Sequence, residues 1–300
     1  MCGRILGYMM LEAPTSIGCE NVRKEIELFQ TEGALENLAR FYVTYFLRLF
    51  RKAKGPTPGS SSHRSRPSFD DTQQTIKSLM QQAPKSHKAV KQLALKRDNY
   101  RCVVTGAYDG ATFQKQQETD PAFEPPTTPQ FTQVAHIFPD SLNQDLAEYS
   151  ATGWAVVERF GQVNMITESL NGPNIHRVEN VLTMVHSAHD LFDKLQLWFE
   201  ATDVPNTYNM RSNREGNFRL VLPPIRRQVT LTSTNPSIPL PNSNYLKIHA
   251  ACAKVAHLSG AAEYLETILN EWEERPVLAS DGGSADILSF LLSRAMVAAH

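Results

Sequence analysis

One pattern constrains this chain more than any other: a strand ending in a histidine, then, much later, a run that carries more imidazole and a carboxylate. Phe131-Thr-Gln-Val-Ala-His-Ile-Phe138 has the branched and aromatic make-up of a β-strand, and Pro139-Asp140-Ser141 ends it. Far downstream come Asn180 and a run to Leu195 holding His186, His189 and Asp193. Read as a helix from Asn180, this run places His189 and Asp193 four positions apart on one face. Leu182, Val185, Phe192 and Leu195 supply the apolar stripe that seats such a helix on strands.

These residue types in this order suit hydrolysis of a phosphodiester. That reaction needs a base for water, a cation for the scissile phosphate, and something to aim the base. A histidine is the side chain that changes protonation near neutral pH, so His136 is the candidate base. Asn180 is the candidate orienting residue, because its amide can pin backbone near the base, and Asn is also a favoured helix cap. Imidazole nitrogen and carboxylate oxygen together suit one divalent ion, whether Mg, Mn, Ni or Zn. His189 and Asp193 are the expected ligands.

Composition narrows the classes. The net charge is −1 and the pI near 6.8, which argues against a wholly basic nucleic-acid binder while leaving room for a local patch. Cys2, Cys19, Cys102 and Cys252 are far apart with no Cys-x-x-Cys pair. A disulfide framework or a cysteine-built zinc site is not expected, and a reducing compartment fits. No stretch approaches the roughly 18 apolar residues of a membrane span. No signal architecture precedes Glu12. The expectation is an intracellular protein of nucleus or cytoplasm, not secreted and with no membrane contact.

The organisation expected is four consecutive regions. Residues 1–54 form an N-terminal helical region, with Gly33 dividing two helices. Residues 55–68, rich in Gly, Pro and Ser and lacking acids, form a flexible linker. Residues 69–200 hold the chemistry, and residues 201–300 form a small sheet with helices packed on it. Within the third region the pattern predicts helices at 70–82, 86–98 and 146–160. It predicts a short strand over Tyr100–Thr105 and a loop from Gly110 to Pro129. Phe218–Leu222 and Gln228–Thr232 read as strands, Tyr245–Val255 and Ala261–Glu274 as helices, and Ser284–Ala299 as a last helix. Lys88, Lys91, Lys96 and Arg97 make a basic helix face, with Arg101 beyond it. His176 and Arg177 stand just before Asn180, where either a phosphate contact or plain loop exposure explains them. His249, Cys252 and His257 have spacings that invite a metal, but their neighbours favour a structural role.

Ala135-His136-Ile137-Phe138-Pro139, followed by Asn180 and His189-Asp-Leu-Phe-Asp193, resembles the HNH endonucleases. More narrowly, it is similar to the HNH domain type found in many uncharacterised fungal proteins. The lead-in Leu95-Lys-Arg-Asp-Asn-Tyr-Arg-Cys-Val-Val-Thr-Gly106 adds to the resemblance, which covers roughly Ser86 to Phe199. It implies an α+β chain: a ββα-metal finger embedded in a mainly helical protein with a small antiparallel sheet. It implies His136 as general base, Asn180 as the residue that orients it, and His189 and Asp193 around one divalent ion, with His186 one turn before His189 placed to compensate for the donor missing at Ala135. It also implies a nucleic-acid partner, DNA ahead of RNA, whose backbone the basic residues Lys88, Lys91, Lys96, Arg97, Arg101 and Arg177 are expected to attract. The C-terminal helices are a candidate protein-partner surface. The chain departs from the family at Ala135, where Asp or His often adds a metal ligand. Two readings follow: a metal-dependent endonuclease, or an HNH-fold module that binds or scaffolds with weak or no catalysis.

Overall fold

The structure is a computed structural model, and it describes residues 1–29, 31–50, 87–139, 147–161, 170 and 172–274. The expected linker, the helix at 70–82 and the helix at 284–299 lie outside the described residues. Two compact units divide the chain, and neither is one continuous stretch. The first takes the described residues of Met1–Phe50, Pro139–Glu168 and Lys247–His300, the second those of Arg51–Phe138 and Ser169–Leu246.

The chain begins in the first unit with α1 (Cys2–Leu11), α2 (Ser16–Leu28) and α3 (Glu32–Tyr42). Thr15 and Thr31 cap α2 and α3 by accepting from the Gly18 and Ala34 amides. The break therefore falls at Thr31, and Gly33 lies inside α3 rather than dividing two helices. In the second unit come α4 (His87–Arg97), the two-residue β1 (Tyr108–Asp109), α5 (Gly110–Thr119), β2 (Pro129–Gln130) and β3 (Thr132–His136). The chain then contributes α6 (Ala147–Gly161) to the first unit. A β-carbon on Gly18 of α2 would stand 2.0 Å from the Phe160 carbonyl of α6, so only glycine permits this approach.

Back in the second unit, β4 (Val181–Val185) runs straight into α7 (His186–Asp193). β5 (Leu197–Ala201), β6 (Thr207–Ser212), the one-turn α8 (Asn217–Leu220) and β7 (Gln228–Thr230) follow. The last described helices are α9 (Ser243–Ser259) and α10 (Ala261–Glu274). Strands β5, β6 and β7 form the expected small antiparallel sheet. Strands β3 and β4 form a second antiparallel pair, from Thr132 opposite Val185 to His136 opposite Val181. With α7 behind them they make the ββα unit, and the fold is the expected mixture of helices and small antiparallel sheets. Val90, Leu93, Ala94, Val134, Val178, Val181 and Ile238 form a shared core under α4 and the hairpin.

Four local expectations are corrected. Val181–Val185 is a strand, not the start of a helix. Five consecutive buried residues fit a fully buried strand, which periodicity cannot tell from a buried helix. Tyr100–Thr105 is not a strand; only Arg101 bridges to Tyr108. Its amides are used in a tight turn, with Gly106 N donating to Cys102 O and Cys102 N to Ala107 O. Gly110–Thr119 is a helix rather than loop because Asp109 caps it, accepting from the Thr112 amide and hydroxyl. The other oxygen of this buried carboxylate accepts from the Thr132 amide and hydroxyl and so anchors the start of β3. Finally, Phe218–Leu220 is helical and not a strand, within the short turn that precedes Pro223-Pro224.

Candidate active site

Arg97 organises the backbone on which the site rests. Its side chain is 0% exposed. Its guanidinium donates to Val178 O at 2.7 Å and Val181 O at 2.9 Å, and pairs with Asp98 at 2.7 Å. Asp98 in turn accepts from the Thr183 amide at 3.2 Å. The carbonyls on either side of Asn180 are thus gripped from one side. A buried guanidinium needs this complete set of acceptors, since an unpaired buried charge is costly.

Asn180 is wholly buried at the end of a short 3₁₀ turn, Val178–Asn180, and does not cap a helix. Its Oδ1 accepts from Phe138 N at 2.9 Å. Its Nδ2 donates to Phe138 O at 3.0 Å and Ile175 O at 2.9 Å. The backbone adds Ile137 N to Asn180 O at 2.8 Å. One amide therefore joins the segment after His136 to the 3₁₀ turn Gly172–His176. The two histidines so presented meet: His136 Nε2 lies 3.1 Å from His176 Nδ1, with the rings edge to face. The His87 ring, at the start of α4, lies 5.7 Å from that of His136.

A second cluster forms on α7. His189 is 8% exposed, and its Nε2 faces Asp193 Oδ1 at 3.2 Å. Its Nδ1 lies 3.0 Å from Gln133 Oε1. The exposed His186 directs its Nδ1 to the same oxygen at 3.3 Å. His186 therefore meets Gln133 rather than the His189–Asp193 pair, and the expected three-ligand set does not assemble. Among the described residues no group of three or more His, Cys, Asp or Glu could hold a metal ion. Alternation along β3 puts Thr132, Val134 and His136 on one face and Gln133 and Ala135 on the other.

The expected basic face of α4 disperses. Lys88 and Arg177 are exposed, while Lys91 donates from Nζ to Thr132 O at 2.8 Å and so braces β3. Lys96 and Arg101 are half-buried. Arg97, bound and buried, is not available to a phosphate. The helix turns it inward because Leu93 and Ala94, four and three residues earlier, define the buried face. Lys88 and Arg177 each adjoin one of the two histidines that meet His136.

Residues 102–200 match the family model of the HNH endonucleases. This segment is an HNH domain. It spans β1 to β5, and so includes the hairpin, Asn180 and α7. No curated protein and no solved structure matches the chain. None of the described helices is long and apolar enough to cross a membrane.

Gln133 and Asp109 of the HNH domain were not legible as site or scaffold residues from the sequence, and His176 only as a phosphate contact or loop residue. Gln133 lies two positions before Ala135 on the same strand face, which is the one available signal. In the first unit, His249 is buried against the Phe50 ring, edge to face at 5.7 Å. Burial pushes the Cys252 thiol upward and holds it neutral. Both placements fit a structural role.

Proposed function

We propose that the HNH domain is a divalent-metal-dependent endonuclease that hydrolyses phosphodiester bonds of nucleic acid, with DNA as the substrate. The observation that carries this reading is His189 Nε2 facing Asp193 Oδ1 at 3.2 Å. With Nδ1 donating to Gln133, the Nε2 lone pair points at a carboxylate oxygen, and only a proton or a cation between them makes that favourable. Two donors about 3 Å apart also fit one edge of the coordination sphere of an ion bound at about 2.1 Å. Gln133 has the part that an outer hydrogen-bond acceptor takes at many ligating histidines, fixing tautomer and ring direction. The residues present therefore fit a metal that two side chains would hold, as suits Mg or Mn.

His189 and Asp193 would hold the divalent ion, which when bound would supply positive charge against the scissile phosphate and the departing oxygen. His136 takes the proton from the attacking water. Asn180 holds Phe138 and Ile175 and thereby the two histidine-bearing segments. Lys88 and Arg177 draw the phosphate backbone to the His136 side, a contact that positions without reading sequence.

Ala135, 0% exposed and apolar, favours the second reading of a binding module, because it brings no donor to the face carrying Gln133. Two variants decide between them. Wild-type protein with Mn²⁺ is expected to nick supercoiled plasmid. His136→Ala is expected to slow nicking by about 10²–10⁴-fold while keeping Mn²⁺ binding by calorimetry, and His189→Ala to lose the binding itself. Cutting by His136→Ala at the wild-type rate removes His136 as the base. No binding of Mg²⁺, Mn²⁺, Ni²⁺ or Zn²⁺ by the wild type leaves the binding module.

A further inference from the structure

The contact between His136 and His176 is too specific for two neighbouring surface rings. Asn180 uses the same Nδ2 to hold Phe138 O, two residues past His136, and Ile175 O, next to His176. The rings meet nitrogen to nitrogen at 3.1 Å, a distance at which a hydrogen on one of the two nitrogens makes a bond to the other. Two arrangements of that hydrogen exist. If His176 Nδ1 carries it, His136 Nε2 is spent as an acceptor. The neutral His136 ring then has its own hydrogen on Nδ1 and no lone pair for a water proton. If His136 Nε2 carries it, His136 Nδ1 holds the lone pair, and His176 is neutral with its hydrogen on Nε2. Only the second arrangement leaves a base.

We infer that His176 is the positioning residue for His136: its Nδ1 accepts the His136 Nε2 hydrogen and selects the tautomer whose Nδ1 is basic. The inference rests on His136 being the base of the proposed endonuclease. When Nδ1 takes a proton from the attacking water, the resulting imidazolium keeps its Nε2 hydrogen on His176. That bond then becomes charge-assisted and stronger. The hydroxide formed attacks phosphorus, and the leaving oxygen departs with the electron pair of the broken P–O bond and takes a proton from solvent water. His176 stabilises the charged base and fixes its direction without touching the substrate, the part a carboxylate or carbonyl takes beside other catalytic imidazoles.

Two substitutions separate this part from a merely structural one. Asn carries its amide oxygen on Cγ, the atom that bears Nδ1 in histidine, so His176→Asn keeps an acceptor at the same remove from the backbone. His176→Leu fills the space and removes the acceptor. Neither touches the Ile175 carbonyl that Asn180 binds. With Mn²⁺ and supercoiled plasmid, His176→Leu is expected to lower kcat by about 10–100-fold with KM changed less than about twofold, the mark of a group acting on the chemical step. His176→Asn is expected to restore kcat to within about fivefold of wild type, since the acceptor is retained. Nitrogen-15 spectra of the imidazoles of full-length protein give the second readout. His136 is expected as the Nε2–H tautomer in the wild type and in His176→Asn, and as a mixture in His176→Leu. An unchanged His136 tautomer in His176→Leu, or an Asn variant as slow as the Leu variant, overturns the inference. If the wild type cuts nothing, the endonuclease reading falls, and the tautomer readout still decides whether His176 sets the state of His136.

Discussion

The two clusters of the HNH domain are built on different principles. The His136 cluster rests on main chain: Asn180 binds Phe138 and Ile175, and Arg97 binds the carbonyls of Val178 and Val181, all at buried positions. The His189 cluster rests on side chains of one short helix and one strand, with Gln133 and His186 exposed and Asp193 at its rim. The first can be disturbed only by disturbing the fold. The second can lose a member and leave the fold standing. Under the proposed function, the base would be held where its direction is fixed, while the edge formed by His189 and Asp193 would stay open to water and phosphate.

Removing Arg97 is the most severe way to test that contrast. Arg97→Ala leaves Asp98 buried without its cation and two carbonyls without their donor. A loss of about 3–5 kcal/mol is expected in denaturant unfolding. A loss below about 1 kcal/mol, the range of an exposed ion pair, would mean that the main-chain cluster is not anchored by this residue. Asn180→Ala comes next. It strands Phe138 N and two carbonyls, each a cost of about 1–3 kcal/mol when no water replaces the bond, so about 2–4 kcal/mol is expected after relaxation. The same variant is expected to broaden the His136 and His176 imidazole signals while Mn²⁺ binding at His189 persists. Loss of both together would show that the two clusters are one cooperative unit and erase the distinction.

The contrast also marks what the sequence could show. His189 and Asp193 were legible because a spacing of four means one helical face, and this survives the error in where the helix starts. Asn180 was legible as an amide that pins backbone near His136, and it does hold Phe138. Its second tie, to Ile175, was not legible, and the expected helix cap is absent at this 3₁₀ turn. Such ties between distant positions leave no periodicity. Arg97 fails for a related reason. A lysine- and arginine-rich helix reads as a solvated face, and only the chain folding back at Val178 and Val181 supplies the acceptors that let a guanidinium go inside. Strand β4 was hidden because five buried residues in a row have no polar face to count. Gln133 carries no chemistry of its own, so nothing in its type distinguishes it until the two α7 histidines converge on its oxygen.

The smallest expected effect is the sharpest for the side-chain cluster. His186 is exposed, and its bond to Gln133 Oε1, at 3.3 Å, is long. His186→Ala is therefore expected to change stability by no more than about 0.5 kcal/mol, as for other surface substitutions. Its effect on Mn²⁺ binding discriminates between two parts. If His186 only shares the Gln133 oxygen, His189 keeps its Nδ1 bond and its direction, and the Kd read by calorimetry rises less than about tenfold, the lower end for loss of an outer partner. If the helix end shifts on loading so that His186 joins His189 and Asp193, the variant loses binding as completely as His189→Ala. The second result would make α7 alone the metal-holding element, with ligands at its first, fourth and eighth positions. Ala135 would then be no deficit, because the strand would no longer be needed to supply a donor.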